Sequence, residues 1–357
     1  SVNTLTGGTE VNLYVPRILA PFNLNTSSAF VPQTRFRAQY ELYNKTTEYL
    51  LTSALGSVGY IWKTRIPVEH ELTPFIINYV QPRNITDSFQ KVLDSNIVLA
   101  RSIEQQFILG NSYNYNYNTL ARANTDRNNF FFNGNVSLSG NLIGLITGAN
   151  VKTGNQKEIF GTPFNQYVRL EADARYYRRL GTQFRSFNAR VLGGLGVAYG
   201  NTLNMPFIKA FFAGGVSDQR GFRARTLGPG SYYAGNPRDT FVADQPGDIK
   251  LLTMLEYRDR LFSIVRWAAF LDAGNVWTLR EDTDRPGAKF TSQFLNQVAV
   301  DAGLGLRFDI SFLVFRIDIA FPLRLPYVPP DGKTIDIGNS DWRKNNIVWN
   351  LAIGYPF

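Results

Sequence analysis

The sequence predicts an all-β protein, a transmembrane antiparallel β-barrel. Two observations support this: apolar and polar residues alternate along many segments, and no stretch approaches the roughly 18 continuous apolar residues of a membrane helix. Transmembrane strands need only about 9–11 residues each, and every second residue is polar, so their average hydropathy resembles that of a soluble protein. The composition therefore excludes helical spans without excluding a membrane.

The alternation is clearest in residues 168–176, where Val, Leu, Ala and Tyr occupy one face and Arg, Glu and Asp the other. A soluble sandwich also alternates, but its polar face meets water and usually carries Lys, Glu, Thr and Ser. Here the polar faces carry Arg, Asp, Glu, Asn and Gly, which favours a polar lumen behind a lipid-facing belt. Eight charged residues are predicted to pair in that lumen: Arg169, Glu171, Asp173, Arg175, Arg307, Asp309, Arg316 and Asp318.

Fourteen strands can be read along the chain, which we interpret as one domain, residues 1–357. Their predicted ranges are 8–19, 34–45, 50–64, 70–82, 104–118, 130–142, 166–179, 183–199, 207–214, 248–260, 264–277, 296–310, 312–323 and 346–357.

The same count assigns the connections to the two sides of the membrane. If the last strand ends in the periplasm, alternating direction puts three long loops on the extracellular side: 215–247, 278–295 and 324–345. It puts 83–103 and 143–165 on the periplasmic side. Within the first of these, residues 87–95 have apolar side chains at helical spacing and predict a short helix.

The composition also bounds the function. The chain has no Cys, one His, and a net charge of +9 from 37 basic and 28 acidic residues. The basic residues are spread along the chain beside acidic ones, which argues against nucleic acid as a partner. The lone imidazole, His70, stands between Glu69 and Glu71 with no Ser or Asp motif beside it, so we expect no enzyme activity. No pattern indicates a cofactor or a metal.

The most informative segment is 207–233, which reads as a short strand, a Gly-Gly break and a long loop containing Arg220-Gly221-Phe222. A glycine after an arginine lets the backbone bend while the guanidinium projects. Such an arginine is expected to have a buried partner. Arg223 and Arg225 are interpreted as solvated loop residues or as contacts to lipid phosphates.

Several stretches resemble one family. They are GGVSDQRGF, FLDAGNVW, GLGLRFDI, FRIDIAFPL and the terminal aromatic residue. Together they resemble the C-terminal barrel of the BamA/TamA outer-membrane assembly superfamily, over the whole chain and most specifically over 207–323. The fuller run FFAGGVSDQRGFRARTLGPGSYY is most similar to the TamA-like lipoprotein (TamL) branch, although Gln219 departs from the small or β-branched residue usual there.

The resemblance implies an integral protein of the cell outer membrane with about sixteen strands. Aligning 215–247 with the family's sixth extracellular loop makes 8–19 the third strand. The first two strands and the periplasmic POTRA domains are then expected upstream of Ser1, and the sequence shows no signal peptide.

The resemblance also implies the site. Arg220 is expected to point into the lumen and to pair with Glu256 and Asp272 on the next two strands. Gly274 lies on the same face as Asp272, and its small size is expected to leave room for the loop carrying Gly221 and Phe222 to dock.

The implied function is to insert or export β-rich client proteins through a weak seam between the first and last strands. An unfolded client strand would pair with the seam edge, so that its backbone groups are satisfied in lipid. The seam strand 346–357 carries Trp349, Gly354, Tyr355 and Phe357; Gly354 and Pro356 either weaken its pairing or simply end the barrel.

The partners implied are outer-membrane lipids, unfolded outer-membrane clients, and a periplasmic or inner-membrane accessory protein. Two alternatives stay open: a passive outer-membrane pore, and a dedicated secretion pore for one partner protein.

Overall fold

The computed structural model describes residues 4–20, 30–45, 49–95, 100, 103–122, 126–181, 184–235, 244–310, 313–328, 335 and 338–357. Thirteen strands of this part form one antiparallel sheet in which each strand lies beside its neighbour in sequence, and two further short strands form a separate hairpin. The sheet strands are β1 (Thr4–Val15), β2 (Gln33–Lys45), β3 (Tyr49–Arg65), β4 (Val68–Arg83), β5 (Gln106–Asn118), β6 (Asn128–Ser139), β9 (Tyr167–Arg179), β10 (Ser186–Ala198), β11 (Ile249–Phe262), β12 (Val265–Trp277), β13 (Ala299–Asp309), β14 (Val314–Arg324) and β15 (Val348–Ile353).

The hairpin strands β7 (Glu158–Ile159) and β8 (Thr162–Pro163) lie between β6 and β9. In the described part of the chain, three short α-helices occupy connections: α1 (Asp87–Ser95), α2 (Asn141–Thr147) and α3 (Ser340–Asn346). The first coincides with the predicted helix at 87–95, whereas α2 and the hairpin were not predicted. Among the described residues, no helix is both long enough and apolar enough to cross a bilayer.

The predicted strand at 207–214 is wrong. Pro206 precedes a 3-10 helix over Phe207–Lys209, and Gly214 has a φ of 94°. The apolar alternation arises because Phe211 and Ala213 are buried against other loop and strand residues, not because the segment joins the sheet. β10 therefore pairs directly with β11 across the long connection 199–248.

This correction changes the number of strands in the main sheet, among the described residues, from the fourteen predicted to thirteen. Removing a strand reverses the alternation of direction for all earlier connections, so the periplasmic placement of 83–103 and 143–165 loses its support. The same shift makes the first strand the fourth, rather than the third, when counted back from the long loop. The last strand is also shorter than predicted, because Gly354 adopts a φ of 86° and ends it after Ile353.

The chain forms two compact units. The first comprises Ser1–Tyr117, Asn133–Glu171 and Gly196–Ala210. Its sheet has an inner face, where Ile108 of β5 packs with Met205 of the long connection, and an outer face, where Phe75 of β4 is 65% exposed.

The second unit comprises Asn118–Phe132, Ala172–Leu195 and Phe211–Phe357. On its inner face, Phe211 and Leu227 of the long connection pack against Val276 of β12 and Ala299 of β13. The outward residues are apolar and exposed, for example Leu304 at 63%. Each unit thus buries residues of the 199–248 connection against the inner face of its own strands.

A close approach of β5 and β6 gives a test of the first unit. A Cβ at Gly110 would meet the carbonyl oxygen of Leu138 and lie 3.2 Å from Ser139 Cα, so Gly110→Ala must displace backbone. We expect it to lower the free energy of unfolding by about 1–3 kcal/mol, measured as a lower temperature for the heat-induced mobility shift in detergent gels. Gly56→Ala is the matched control, since a Cβ there meets nothing within 4 Å. Equal shifts for both variants would contradict this packing.

Candidate functional site

The long connection is shaped so that Arg220 enters the interior of the second unit. The side chain of Asp218 accepts hydrogen bonds from the backbone of Gly214 at 3.1 Å and of Gln219 at 3.0 Å, closing a tight turn. Gln219 is fully buried, and its Nε2 donates to the carbonyl of Ala299 in β13 at 3.1 Å. The residue that departs from the family pattern therefore fixes the loop to the sheet.

Arg220 is fully buried and paired with two carboxylates on adjacent strands. Its Nε and Nη2 donate to the two oxygens of Asp272 (β12) at 2.7 and 2.9 Å, a bidentate geometry. Its Nη1 donates to Glu256 of β11, which is also fully buried. The structure thus brings together the three charged residues that the sequence singled out.

Further charges extend this contact into a network. Arg307 (β13) reaches Glu256 at 3.3 Å and pairs with Asp318 (β14). Arg258 donates its Nε to the other oxygen of Glu256 at 2.5 Å. We call the five fully buried members the Arg220 cluster: Arg220, Glu256, Asp272, Arg307 and Asp318.

The guanidinium of Arg220 also stacks on an aromatic ring. Its Cζ lies 3.5 Å from the centre of the ring of Phe270, which lies on the same face of β12 as Asp272. Space for this arrangement comes from Gly303 and Gly305, because a Cβ on either would collide with Phe270 or Asp318. Stacking on a desolvated ring adds about 2 kcal/mol of attraction in favourable cases.

Paired carboxylates keep Arg220 charged although it is buried. Desolvation opposes the charged form of Arg220, but the charge and hydrogen bonds of Asp272 and then the charge of Glu256 outweigh it and raise the pKa of Arg220 above its ordinary value. The charged groups that pair around the loop tip are all at most 8% exposed: Arg220, Arg258, Arg307, Arg316, Glu256, Asp272 and Asp318. Pairing each of these carboxylates with an arginine limits the cost of burying it.

Gly221 and Phe222 seat the loop in different ways. A Cβ at Gly221 would lie 2.8 Å from Asp301 Cγ, so only glycine allows the loop backbone this close to β13. Phe222 is half-buried and packs on the apolar cluster formed by Phe211, Leu227 and others. Both residues therefore hold the loop against the inner face.

Gly274 has a different neighbour from the one expected. It lies on the inner face with Asp272, but a Cβ there would meet the backbone of Leu251 and Leu252 in β11. Its small size thus serves the close approach of two strands, and Gly303 and Gly305 make the room beside the loop arginine.

The exposed arginines after Phe222 lie outside the cluster. Arg225 pairs with Asp244 at 3.0 Å and lies over the Phe212 ring, and Arg223 is also exposed. The predicted ladder of lumen charges is paired throughout: every one of its eight members takes part in an ion pair, for example Asp173 with Arg190 at 2.9 Å.

The last strand and the chain end face opposite ways. Trp349 of β15 is 66% exposed on the outer face, whereas Tyr355 and Phe357 follow the turn at Gly354 and lie inside. Phe357 is 8% exposed and packs with Leu192, Leu252 and Met254. Arg258 also contacts the chain end. Its Cζ lies 4.4 Å from the centre of the Tyr355 ring, and its Nη2 donates a hydrogen bond to the Phe357 carbonyl oxygen at 3.4 Å.

Asn350 connects this strand to the loop. Its side chain is buried on the inner face of β15 and donates to the backbone carbonyl of Arg220 at 2.8 Å. The Arg220 cluster therefore touches the long connection, four strands of the sheet, and β15 through Asn350.

His70 lies apart from this site. In β4 its ring stacks on Trp62 at 5.1 Å, and its Nδ1 is 2.7 Å from the Tyr113 hydroxyl. Its other nitrogen lies 3.4 Å from the Thr64 hydroxyl. These are structural contacts for an aromatic side chain. No group of three or more potential metal ligands occurs in the part of the chain that the structure describes.

The sequence did not reveal Phe270, Arg258 and Asn350 as members of the site. The period-2 pattern placed Phe270 on the face of Asp272, and that signal could have identified it. Asn350 stands between the apolar Trp349 and Leu351, and the same alternation could have marked it as an inward polar residue. Arg258 contacts the chain end only because the chain turns inward at Gly354, and hydrophobic periodicity does not predict that turn.

The cluster predicts a large effect for one arginine and a small one for its neighbour. Arg220→Ala leaves Asp272 buried without its arginine and removes one of the three arginines that pair with Glu256, which costs about 3–5 kcal/mol. We expect a correspondingly lower unfolding temperature in detergent gels, with the protein still inserted. Arg225→Ala, in the same loop but exposed, should change stability by at most about 1 kcal/mol. Equal stability of the two variants would contradict the account, and Asp272→Asn repeats the test from the strand side.

The buried chain end gives a second prediction. Phe357→Ala removes a ring packed among Leu192, Leu252 and Met254 and should lower the free energy of unfolding by about 3 kcal/mol. Ile353→Ala is the control, because that side chain is 72% exposed on the outer face. A chaotrope titration of both variants in detergent compares them, and no difference would show that the end does not pack inside.

Comparisons with known proteins agree with this architecture. A sequence profile described as the Omp85 superfamily domain matches residues 23–338. The chain is 27% identical over 164 residues to the outer membrane protein assembly factor BamA of Neisseria meningitidis serogroup B. That match covers 39% of this chain and 20% of the relative, so the chain spans a small part of that protein's length.

Two solved structures share the fold. The BamA structure from Haemophilus ducreyi lacking POTRA domains 1–3 superposes with a TM-score of 0.64 at 16% identity, over 98% of this chain and 62% of that one. CdiB from Escherichia coli gives a TM-score of 0.56 at 13% identity, over 99% and 53%. The profile match, which spans most of the chain, shows that the protein belongs to the Omp85 superfamily of integral outer-membrane β-barrels.

Proposed function

We propose that this chain is the membrane domain of a factor that inserts or exports β-rich client proteins at the outer membrane, by pairing a client strand with an open edge of its own sheet. The BamA relative is named as an outer membrane protein assembly factor, which supports this class of function. The whole protein's clients and accessory partners belong to the proposal. Its action is one of strand pairing, with no enzyme chemistry.

One observation carries the mechanism: the sheet ends in a strand that is too short for its neighbour. β15 has six residues and pairs with β14 only from Phe315 to Ala320. Among the described residues, Phe321 and Leu323 of β14 continue the strand without a partner on that side. Strand edges with unpaired backbone groups tend to pair with other strands. The free energy gained by such pairing is large in lipid, because the unpaired N–H and C=O groups have no water to bind there.

The Arg220 cluster limits how far this edge opens. Asn350 ties β15 to the loop carbonyl of Arg220, and Phe357 anchors the chain end inside. Both contacts add to the six-residue ladder. The loop therefore stabilises the position of the last strand. A client strand that extends its pairing with β14 must compete with these contacts.

A dedicated secretion pore for one partner protein is the second candidate, and the fold shared with CdiB supports it. The same edge would serve a single protein in that case. The narrower assignment to the TamA-like lipoprotein branch is also a proposal, resting on the run from Phe211 to Tyr233. Intact mass of the mature protein tests it, since that branch requires an acylated cysteine upstream.

Site-specific photocrosslinking tests the strand-pairing mechanism. A photoreactive amino acid replaces Leu351 of β15, which is 65% exposed, and separately Leu304 of β13, which is 63% exposed on a strand paired on both sides. In cells, position 351 should crosslink to newly made outer-membrane proteins several-fold more than position 304.

Each outcome of this experiment decides between the candidates. Many client proteins captured at 351 support an assembly factor, and a single captured protein supports the secretion pore. Equal or absent capture at both positions overturns strand pairing. A passive pore would then remain, and large steady conductance unaffected by Arg220→Ala would identify it.

A further inference from the structure

A second apolar surface lies outside the sheet, on the connection between β6 and β9. We call it the α2 surface; it consists of Leu142, Leu145, Ile146 and Phe160, which are 74%, 82%, 74% and 88% exposed. The first three recur at helical spacing on one side of α2, and Phe160 forms the tip of the β7–β8 hairpin. No charged residue occurs from 139 to 151. Left in water, four such side chains would lose the favourable free energy of apolar burial.

The opposite side of this segment packs on the outer face of the first unit. Ile143 of α2 and Ile159 of the hairpin pack against a buried cluster of Phe107, Ala149 and Phe164. In the ladder between β4 and β5, Phe107 lies opposite Tyr79, and the next pair along is Ile108 opposite Asn78. Since Ile108 contacts Met205 on the inner face, alternation puts Phe107 and the segment packed on it on the outer face.

The outer face here is the lipid-facing one. Phe75 and Ile77 of β4 project from it at 65% and 48% exposure, and Phe130 and Val136 of β6 project at 49% and 40%. α2 begins two residues after β6 ends, so it lies where the strand leaves the membrane. The α2 surface is therefore continuous with the belt that contacts lipid.

The helix is held rigidly in this position. Gly144 faces Gln166, the residue before β9, and a Cβ there would lie 2.6 Å from the Gln166 amide, so a larger residue would have to displace that buried side chain. Gly148 ends the helix at a φ of 61°, with its N–H bonded to the Gly144 carbonyl. Because the inward side is fixed, the direction of the apolar side is fixed as well.

We propose that the α2 surface is a lipid-binding element, whose four side chains insert among the acyl chains just below the headgroups at the end of β6. Its chemistry fits that occupant: it is apolar, uncharged, adjacent to the belt, and flanked by the exposed Lys152 where headgroup phosphates would lie. Interfacial helices of this kind bind through apolar side chains facing the acyl boundary. The proposal rests on membrane insertion alone and is independent of client pairing.

Spin labelling in vesicles tests the proposal. Leu145→Cys in the full-length protein, with any other cysteine replaced by serine, is labelled and reconstituted in phosphatidylcholine vesicles. Collisions of the label with oxygen, which partitions into lipid, and with a water-soluble nickel chelate are then compared. Ile77→Cys reports the lipid-facing belt, and Lys152→Cys reports an exposed site in the same connection.

We expect the label at 145 to resemble the one at 77, with oxygen favoured several-fold over the nickel chelate, and the label at 152 to show the reverse. A label at 145 as open to nickel as that at 152 overturns the proposal. Low access to both reagents overturns it too, because it indicates a protein cover. Ile146→Cys repeats the measurement should the label at 145 disturb insertion. The photocrosslinking result at β15 is unaffected by either outcome.

Discussion

The structure of the second unit depends on burying one guanidinium. Arg220 enters the interior on a loop and meets Asp272 and Glu256, and none of the three is reachable by solvent. Removing charges from water is costly, so such a group is stable only when every partner is in place. This requirement explains the glycines at 221, 303 and 305, whose missing side chains let the loop and the phenylalanine ring reach the carboxylates.

The same requirement links distant parts of the chain. The loop that carries Arg220 also supplies the carbonyl that Asn350 binds and the carbonyl of Val216 that Arg316 binds. The last strand has only six ladder positions of its own, so these contacts form a large share of its attachment. A sheet whose final strand is held partly by a loop can change its edge without unfolding its core, which is what the proposed pairing with a client strand would require.

Much of this was predictable from the sequence, for definite reasons. Alternation identified the strands and their polar faces, and the resemblance implied the pairing of Arg220 with Glu256 and Asp272. Alternation failed at 207–214, because a loop buried against a sheet can also hide every second residue. It also missed the inward turn after Gly354, since a positive φ leaves no mark in hydrophobic periodicity. Long-range contacts across more than a hundred residues, such as Asn350 with Arg220, were equally beyond it.

Hydrogen exchange of the full protein in detergent or lipid tests the central claim most directly. Arg220→Lys keeps the charge but cannot bind Asp272 bidentately and reach Glu256 as well. The account predicts that peptides covering 214–222 and 348–357 lose protection together in this variant, while those from β5 keep it and Arg225→Lys changes neither. Unchanged protection of β15, with the loop released, would contradict the claim that the buried arginine holds the last strand.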